Sequence, residues 1–158
     1  MSNPVTITAP EGLPFIEIVR EFDAPVAAVF EAYRDPELVA QWLGPDGYEM
    51  TVEEYSLESG GRYRYVHTNP EGDSFAFRGM FHTVRAGELI IQTFEWEGMP
   101  DAVSLETVRF EELHGGRTRI RGWSVFPQVK WRDGMVQNGM ERGVVEGYAR
   151  LDGLLAAS

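Results

Sequence analysis

The chain has 158 residues, with 14 Lys and Arg against 25 Asp and Glu, a formal charge of −11. That length makes one domain the expectation, burying roughly 70% of its unfolded surface without help from metals or disulfides. The acidic balance repels phosphate backbones and anionic membrane surfaces, and the lack of cysteine excludes thiolate nucleophiles and cysteine zinc sites.

Residues 1–14, rich in Pro and Thr, read as a loose leader, and 15–158 as the single domain. The chain start lacks the basic and apolar runs of a targeting signal. No uncharged run, Leu38 to Pro45 included, approaches the roughly 18 residues of a membrane span. Membrane insertion is not expected, and the cytoplasm is the expected compartment. From Phe15 to Phe22 the apolar residues Ile16, Ile18 and Phe22 alternate as in a strand. Pro25 suits the first turn of a helix, with Asp23 or Ala24 near its cap. Val26, Val29, Phe30 and Tyr33 then form one helical face. Asp35-Pro36 restarts a second helix carrying Leu38, Val39, Trp42 and Leu43, which Gly44-Pro45 ends.

Six strand patterns follow: Tyr48 to Tyr55, Arg62 to His67, Phe75 to Val84, Leu89 to Trp96, Val103 to Leu113 and Arg117 to Phe126. Turn signals such as Gly60-Gly61, Ala86-Gly87 and Gly115-Gly116 separate them, which predicts an antiparallel meander. Asp133 to Ala156 returns to helical spacing, with Val136, Met140, Val144, Tyr148, Leu151 and Leu155 on one stripe. The expected architecture is α+β, a curved antiparallel sheet wrapped around a long C-terminal helix, with two short helices after the first strand.

Several runs resemble a known family. Phe22-Asp23-Ala24-Pro25 opening a helix with Val29-Phe30 resembles the START-like, helix-grip superfamily, also called SRPBCC. Trp42-Leu43-Gly44-Pro45, Gly60-Gly61-Arg62-Tyr63-Arg64-Tyr65, and Gly139-Met140-Glu141-Arg142-Gly143 leading to Leu151-Asp152-Gly153-Leu154-Leu155 are similar to the branch named for the activator of the heat-shock protein 90 ATPase. The resemblance runs from about Phe15 to Ala156 and departs at Val144, where the family carries an aromatic. It implies a helix-grip fold; members include carriers, receptors, cyclases and chaperone regulators.

Strand parity places the candidate site. Arg62, Arg64, Arg78, Arg119 and Arg121 belong on a solvated convex face beside cross-strand glutamates. Tyr63, Tyr65 and His67 then face the helix, as do Phe75, Phe77 and Phe81, and Ile120, Gly122 and Ser124. His82 shares the parity of Arg78 and His114 lies in a turn. Glu53-Glu54 and Glu111-Glu112 are strand neighbours that point to opposite faces, so neither pair shares a proton. Glu95 enters the cavity if it faces inward with Leu89, Ile91 and Thr93; the opposite register puts Phe94 and Trp96 inside instead. Trp42, Met140, Val144 and Tyr148 supply the helical wall. Gly139, Gly143 and Gly147 recur every four residues, leaving two readings: close packing on the sheet, or room for a ligand, which is preferred.

The expected function is binding of a small apolar or aromatic molecule between the last helix and the sheet, as a non-catalytic carrier or sensor needing no cofactor. The cavity residues are Trp42, Tyr63, Tyr65, His67, Phe77, Phe81 and Glu95, with Met140, Gly143, Val144, Gly147 and Tyr148 opposite. A chaperone-regulating module is the alternative, and a cavity enzyme using Glu95 or His67 the third reading, without a nucleophile or metal set to name its reaction. A homodimer through an edge strand near Trp96, or through Trp123 to Trp131, is left open.

Overall fold

The computed structural model describes residues 3–157. Its first element lies in the expected leader: Val5–Thr8 (β1) pairs antiparallel with Phe15–Phe22 (β2). The sequence Val-Thr-Ile-Thr is β-branched at every position, so its side chains are stiff and favour extended backbone. That local preference, with the paired β2 edge, orders residues that Pro and Thr content alone assigned to a loose leader.

Val26–Arg34 (α1) and Pro36–Trp42 (α2) follow. Pro25 is the cap of α1 rather than its first turn, and its carbonyl accepts from the amides of Ala28 and Val29. Asp23 pairs with Arg117 instead of capping. α2 starts as its sequence predicts: the Asp35 side chain accepts from the Glu37 amide at 2.9 Å, with Pro36 in the first turn.

Six strands form the meander: Glu49–Tyr55 (β3), Arg62–Thr68 (β4), Ser74–Arg85 (β5), Leu89–Trp96 (β6), Ser104–Leu113 (β7) and Arg117–Val125 (β8). With the first two strands they make one sheet of order β1-β2-β8-β7-β6-β5-β4-β3. Its edges are β1 and β3. Trp96 lies on the interior strand β6, so it does not mark the edge expected for a homodimer.

The long final helix is two helices, Val129–Gln137 (α3) and Met140–Ala157 (α4). Gly139 sits in the break with φ +83°, a left-handed conformation that glycine adopts without a Cβ clash. The apolar spacing runs through the break unchanged and so conceals it. α4 lies on the concave face, with Leu151 fully buried among Phe22, Val29 and Ile120. The convex face carries the arginines: Arg64 bridges Glu53 and Glu97, Arg78 meets Glu95, and Arg119 and Arg121 meet Glu111. This helix-grip arrangement leaves space between α4 and the sheet.

Candidate functional site: a cavity between the last helix and the sheet

The space is a cavity of about 380 Å³ walled on one side by β2 to β8 and on the other by α4, α2 and the α2–β3 connection, with Tyr33 of α1 and Met135 of α3 also reaching it. A separate groove outside the grip, between α2 and β3, is shallow and lies open to solvent. Eleven of the twelve residues predicted for the cavity line it: Trp42, Tyr63, Tyr65, His67, Phe77, Phe81, Met140, Gly143, Val144, Gly147 and Tyr148.

Glu95 does not. It stands across from Arg78 on the convex face, accepting from the guanidinium at 2.9 Å and from the Asp101 amide at 3.1 Å. These two hydrogen bonds hold its carboxyl below the ordinary carboxylate range, the arginine contributing most. A turn covers Glu95, yet it sits close under the protein's outer surface, and desolvation loses to the hydrogen bonds. The inward register of β6 is Ile90, Gln92 and Phe94, so the open choice of faces resolves against Glu95.

The aromatic wall is built by stacking along and across strands. Tyr63 and Tyr65 stack at 5.9 Å between ring centroids, Tyr65 and Phe77 at 5.4 Å, and Phe77 and Phe94 at 5.4 Å. Gly79 is what lets Tyr63 lie flat: a Cβ there would come within 2.5 Å of the Tyr63 hydroxyl. That hydroxyl crosses over Gly79 and donates to the Thr93 carbonyl at 2.6 Å. On the helical side Trp42 stacks with Tyr148 at 6.0 Å and donates its indole N–H to the Ala32 carbonyl.

His67 is buried at one end of this wall, against Tyr48, Tyr65 and Phe77. Gly44 makes its seat, since a Cβ at 44 would approach the ring to 2.6 Å. Burial, and secondarily the nearby Arg150 charge, pushes the imidazole down to about 4. It is neutral at physiological pH, and its buried Nδ1 has no hydrogen-bond partner among the described residues.

One chemically important residue escaped the sequence reading. Glu106 points into the cavity from β7, held by a hydrogen bond from the Ser124 hydroxyl at 3.2 Å. Its partial exposure is to the cavity, not to bulk solvent, and desolvation raises its carboxyl to about 7. Parity was the available signal: Glu106 alternates with Val108 and the buried Phe110. Attention to adjacent glutamates passed over one standing alone. Gln92, paired with Glu106 from the inward face of β6, also lines the cavity. Among the described residues no group of three or more His, Asp or Glu side chains is placed to hold a metal ion, and no helix is long and apolar enough to cross a membrane.

The family model described as Activator of Hsp90 ATPase homolog 1-like protein matches residues 23–156. No curated protein matches. A crystal structure from Rhodobacter sphaeroides superposes with a TM-score of 0.89 at 25% identity, covering 98% of this chain and 100% of that one. A solution structure from Arthrobacter aurescens gives 0.87 at 28% identity, covering 97% and 92%. A crystal structure from Mycobacterium smegmatis gives 0.84 at 27%, covering 98% and 99%. The chain therefore belongs to the activator of Hsp90 ATPase homolog 1-like family.

Proposed function

We propose that this family member binds a small, largely apolar molecule between α4 and the sheet, acting as a carrier or sensor in the cytoplasm. The observation that carries this reading is the cavity: about 380 Å³, walled by aromatic rings, with few polar groups reaching in. That volume and lining suit a ligand held by packing and oriented by a small number of hydrogen bonds. The eleven lining residues named above are the proposed contacts. A catalytic role has weaker support, because neutral His67 stands among aromatic rings without a carboxylate to orient it. The chaperone-regulating alternative draws on the family name.

The test is a melting-temperature screen with lipids, aromatic polyketide-like compounds and hormones, joined to native mass spectrometry of freshly purified protein. A ligand at one hundred times its dissociation constant adds about 2.7 kcal/mol, which for a chain of this size raises the midpoint by about 5–10 °C. A broad panel that leaves the midpoint unmoved, with no co-purifying mass, overturns the reading. An ATPase assay with the cognate chaperone checks the alternative.

A further inference from the structure

Gln92, Glu106 and Ser124 are direct cross-strand neighbours: Gln92 pairs with Glu106 across β6 and β7, and Glu106 with Ser124 across β7 and β8. They make a polar row across the concave face, continued by Phe81 on β5 at one end and Ile16 on β2 at the other. The row lies on the cavity wall, and a polar strip within an aromatic surface fixes where a ligand's polar head can sit.

Its hydrogen-bond inventory is one-sided. The Ser124 hydroxyl donates to Glu106 Oε2 at 3.2 Å, one Gln92 N–H donates to the Tyr63 hydroxyl at 3.1 Å, and that hydroxyl donates to the Thr93 carbonyl. What remains for a ligand is mostly acceptor: Glu106 Oε1 and the Gln92 carbonyl, against a single spare Gln92 N–H. The carboxylate also lacks a counter-ion. No arginine, lysine or histidine pairs with Glu106 among the described residues. The two arginines beside α4 are engaged elsewhere: Arg20 with Asp152, and Arg150 with Asp46 and the Trp42 and Gly44 carbonyls. A desolvated carboxylate without a cation is costly, and a ligand that brings the cation relieves that cost. The surrounding ring faces, Tyr63 and Phe81 among them, add cation–π attraction.

We propose that the Gln92–Glu106–Ser124 row recognises the head of the ligand, and that this head is a protonated amine carried on an apolar body. The inference rests on the ligand-cavity reading above and specifies its chemistry. Other titratable groups around Glu106 stay neutral near pH 7. Burial pushes the hydroxyls of Tyr63 and Tyr65 on β4, Tyr55 on β3, Tyr33 on α1 and Tyr148 on α4 upward, and pushes His67 down. Glu106 is thus the cavity group whose charge answers to a bound cation.

Three probes on a common phenylethyl frame separate the contributions: 2-phenylethylamine, 2-phenylethanol and ethylbenzene, titrated at pH 8 by calorimetry or NMR. The amine is expected to bind the native protein at least about tenfold tighter than the hydrocarbon, and to lose that advantage in Glu106→Gln while ethylbenzene keeps its affinity. By linkage, saturating amine should lower the Glu106 carboxyl midpoint, read by side-chain carbon NMR, by at least about one pH unit. This second measurement uses the native protein and stands even if Glu106→Gln does not fold. If ethylbenzene or the alcohol binds as tightly as the amine, or the midpoint stays fixed under saturating amine, the amine inference fails and the cavity reading survives. If none of the three binds, the amine inference fails, and the broad panel above decides the cavity reading.

Discussion

At the scale of single residues, the cavity sets two titrating groups against each other. Glu106 is raised to about 7 by burial, so its contribution to stability is fully present below the unfolded value of 4.5 and is lost as pH rises through 7. His67 is depressed to about 4 by burial; its contribution is present above the unfolded value of 6.5 and is lost as pH falls toward 4. At about 1.4 kcal/mol per pH unit, each amounts to roughly 3 kcal/mol. The two oppose each other between about pH 4.5 and 6.5, and above that only Glu106 still titrates. Stability of the native protein should therefore fall between pH 6.5 and 7.5. Glu106→Gln, isosteric and uncharged, should remove that fall and exceed the native protein by about 2–3 kcal/mol at pH 8, with no gain at pH 4.5. Denaturant melts across this range check it; parallel curves for the two proteins would show that Glu106 ionises as freely folded as unfolded. The proposed ligand head thus binds where the empty protein is least stable when charged.

Among the elements, the last helix shows how much of the site was legible in advance and where legibility stopped. Period-two alternation separates inside from outside whenever one face carries arginine, and Tyr63, Tyr65 and His67 follow from it directly. Glu106 shares the parity of Val108 and Phe110 on β7, whereas β6 carries apolar residues on both alternations, so the side that Glu95 takes follows only from its pairing with Arg78 on β5. Register is a long-range property, invisible to a reading made one strand at a time. The glycines divide likewise. Equal spacing presents Gly139, Gly143 and Gly147 as one stripe, and the structure gives each a separate role. Gly139 breaks the helix at φ +83°. A Cβ at Gly143 meets Pro45 at 3.6 Å, an ordinary contact, whereas at Gly147 it meets the Trp42 carbonyl at 2.9 Å. The close packing is thus against the end of α2 rather than the sheet, and it is confined to Gly147. Gly143→Ala should be neutral or stabilising by up to about 1 kcal/mol through helix propensity. Gly147→Ala should cost about 1–3 kcal/mol, because backbone must move. Gly139→Ala should cost about 1 kcal/mol for its left-handed backbone. Thermal melts of the three variants decide; equal effects at 143 and 147 would restore the single stripe.

Across the whole molecule, one ion pair ties the chain's beginning to its end. Arg20 on β2 is fully buried and grips Asp152 on α4 through two hydrogen bonds of 2.7 and 2.6 Å. Its guanidinium lies 4.7 Å from the Phe22 ring centroid and 5.9 Å from that of Tyr148. The pair therefore fixes α4, the cavity's roof, on β2, 132 residues away in sequence. Two residues before Asp152 on the same helix, Arg150 reaches the Trp42 carbonyl at the end of α2 and the Gly44 carbonyl just beyond it, where a cation complements the helix dipole. The aromatic wall supplies area, while these two arginines supply position. Removing one partner of a buried pair strands the other charge, so Asp152→Ala should cost about 3–5 kcal/mol, a large share of a domain's usual 5–15 kcal/mol. Replacing both partners with apolar residues of similar volume, Arg20→Met with Asp152→Leu, leaves no charge stranded and should recover most of that loss. The methionine keeps contact with Phe22 and Tyr148 in place of the guanidinium. Amide exchange supplies the spatial readout: in Asp152→Ala, α4 should lose protection before the strands of the meander do. A loss below about 1 kcal/mol, or exchange that quickens uniformly across the sheet, would mean that apolar packing alone holds the roof in place.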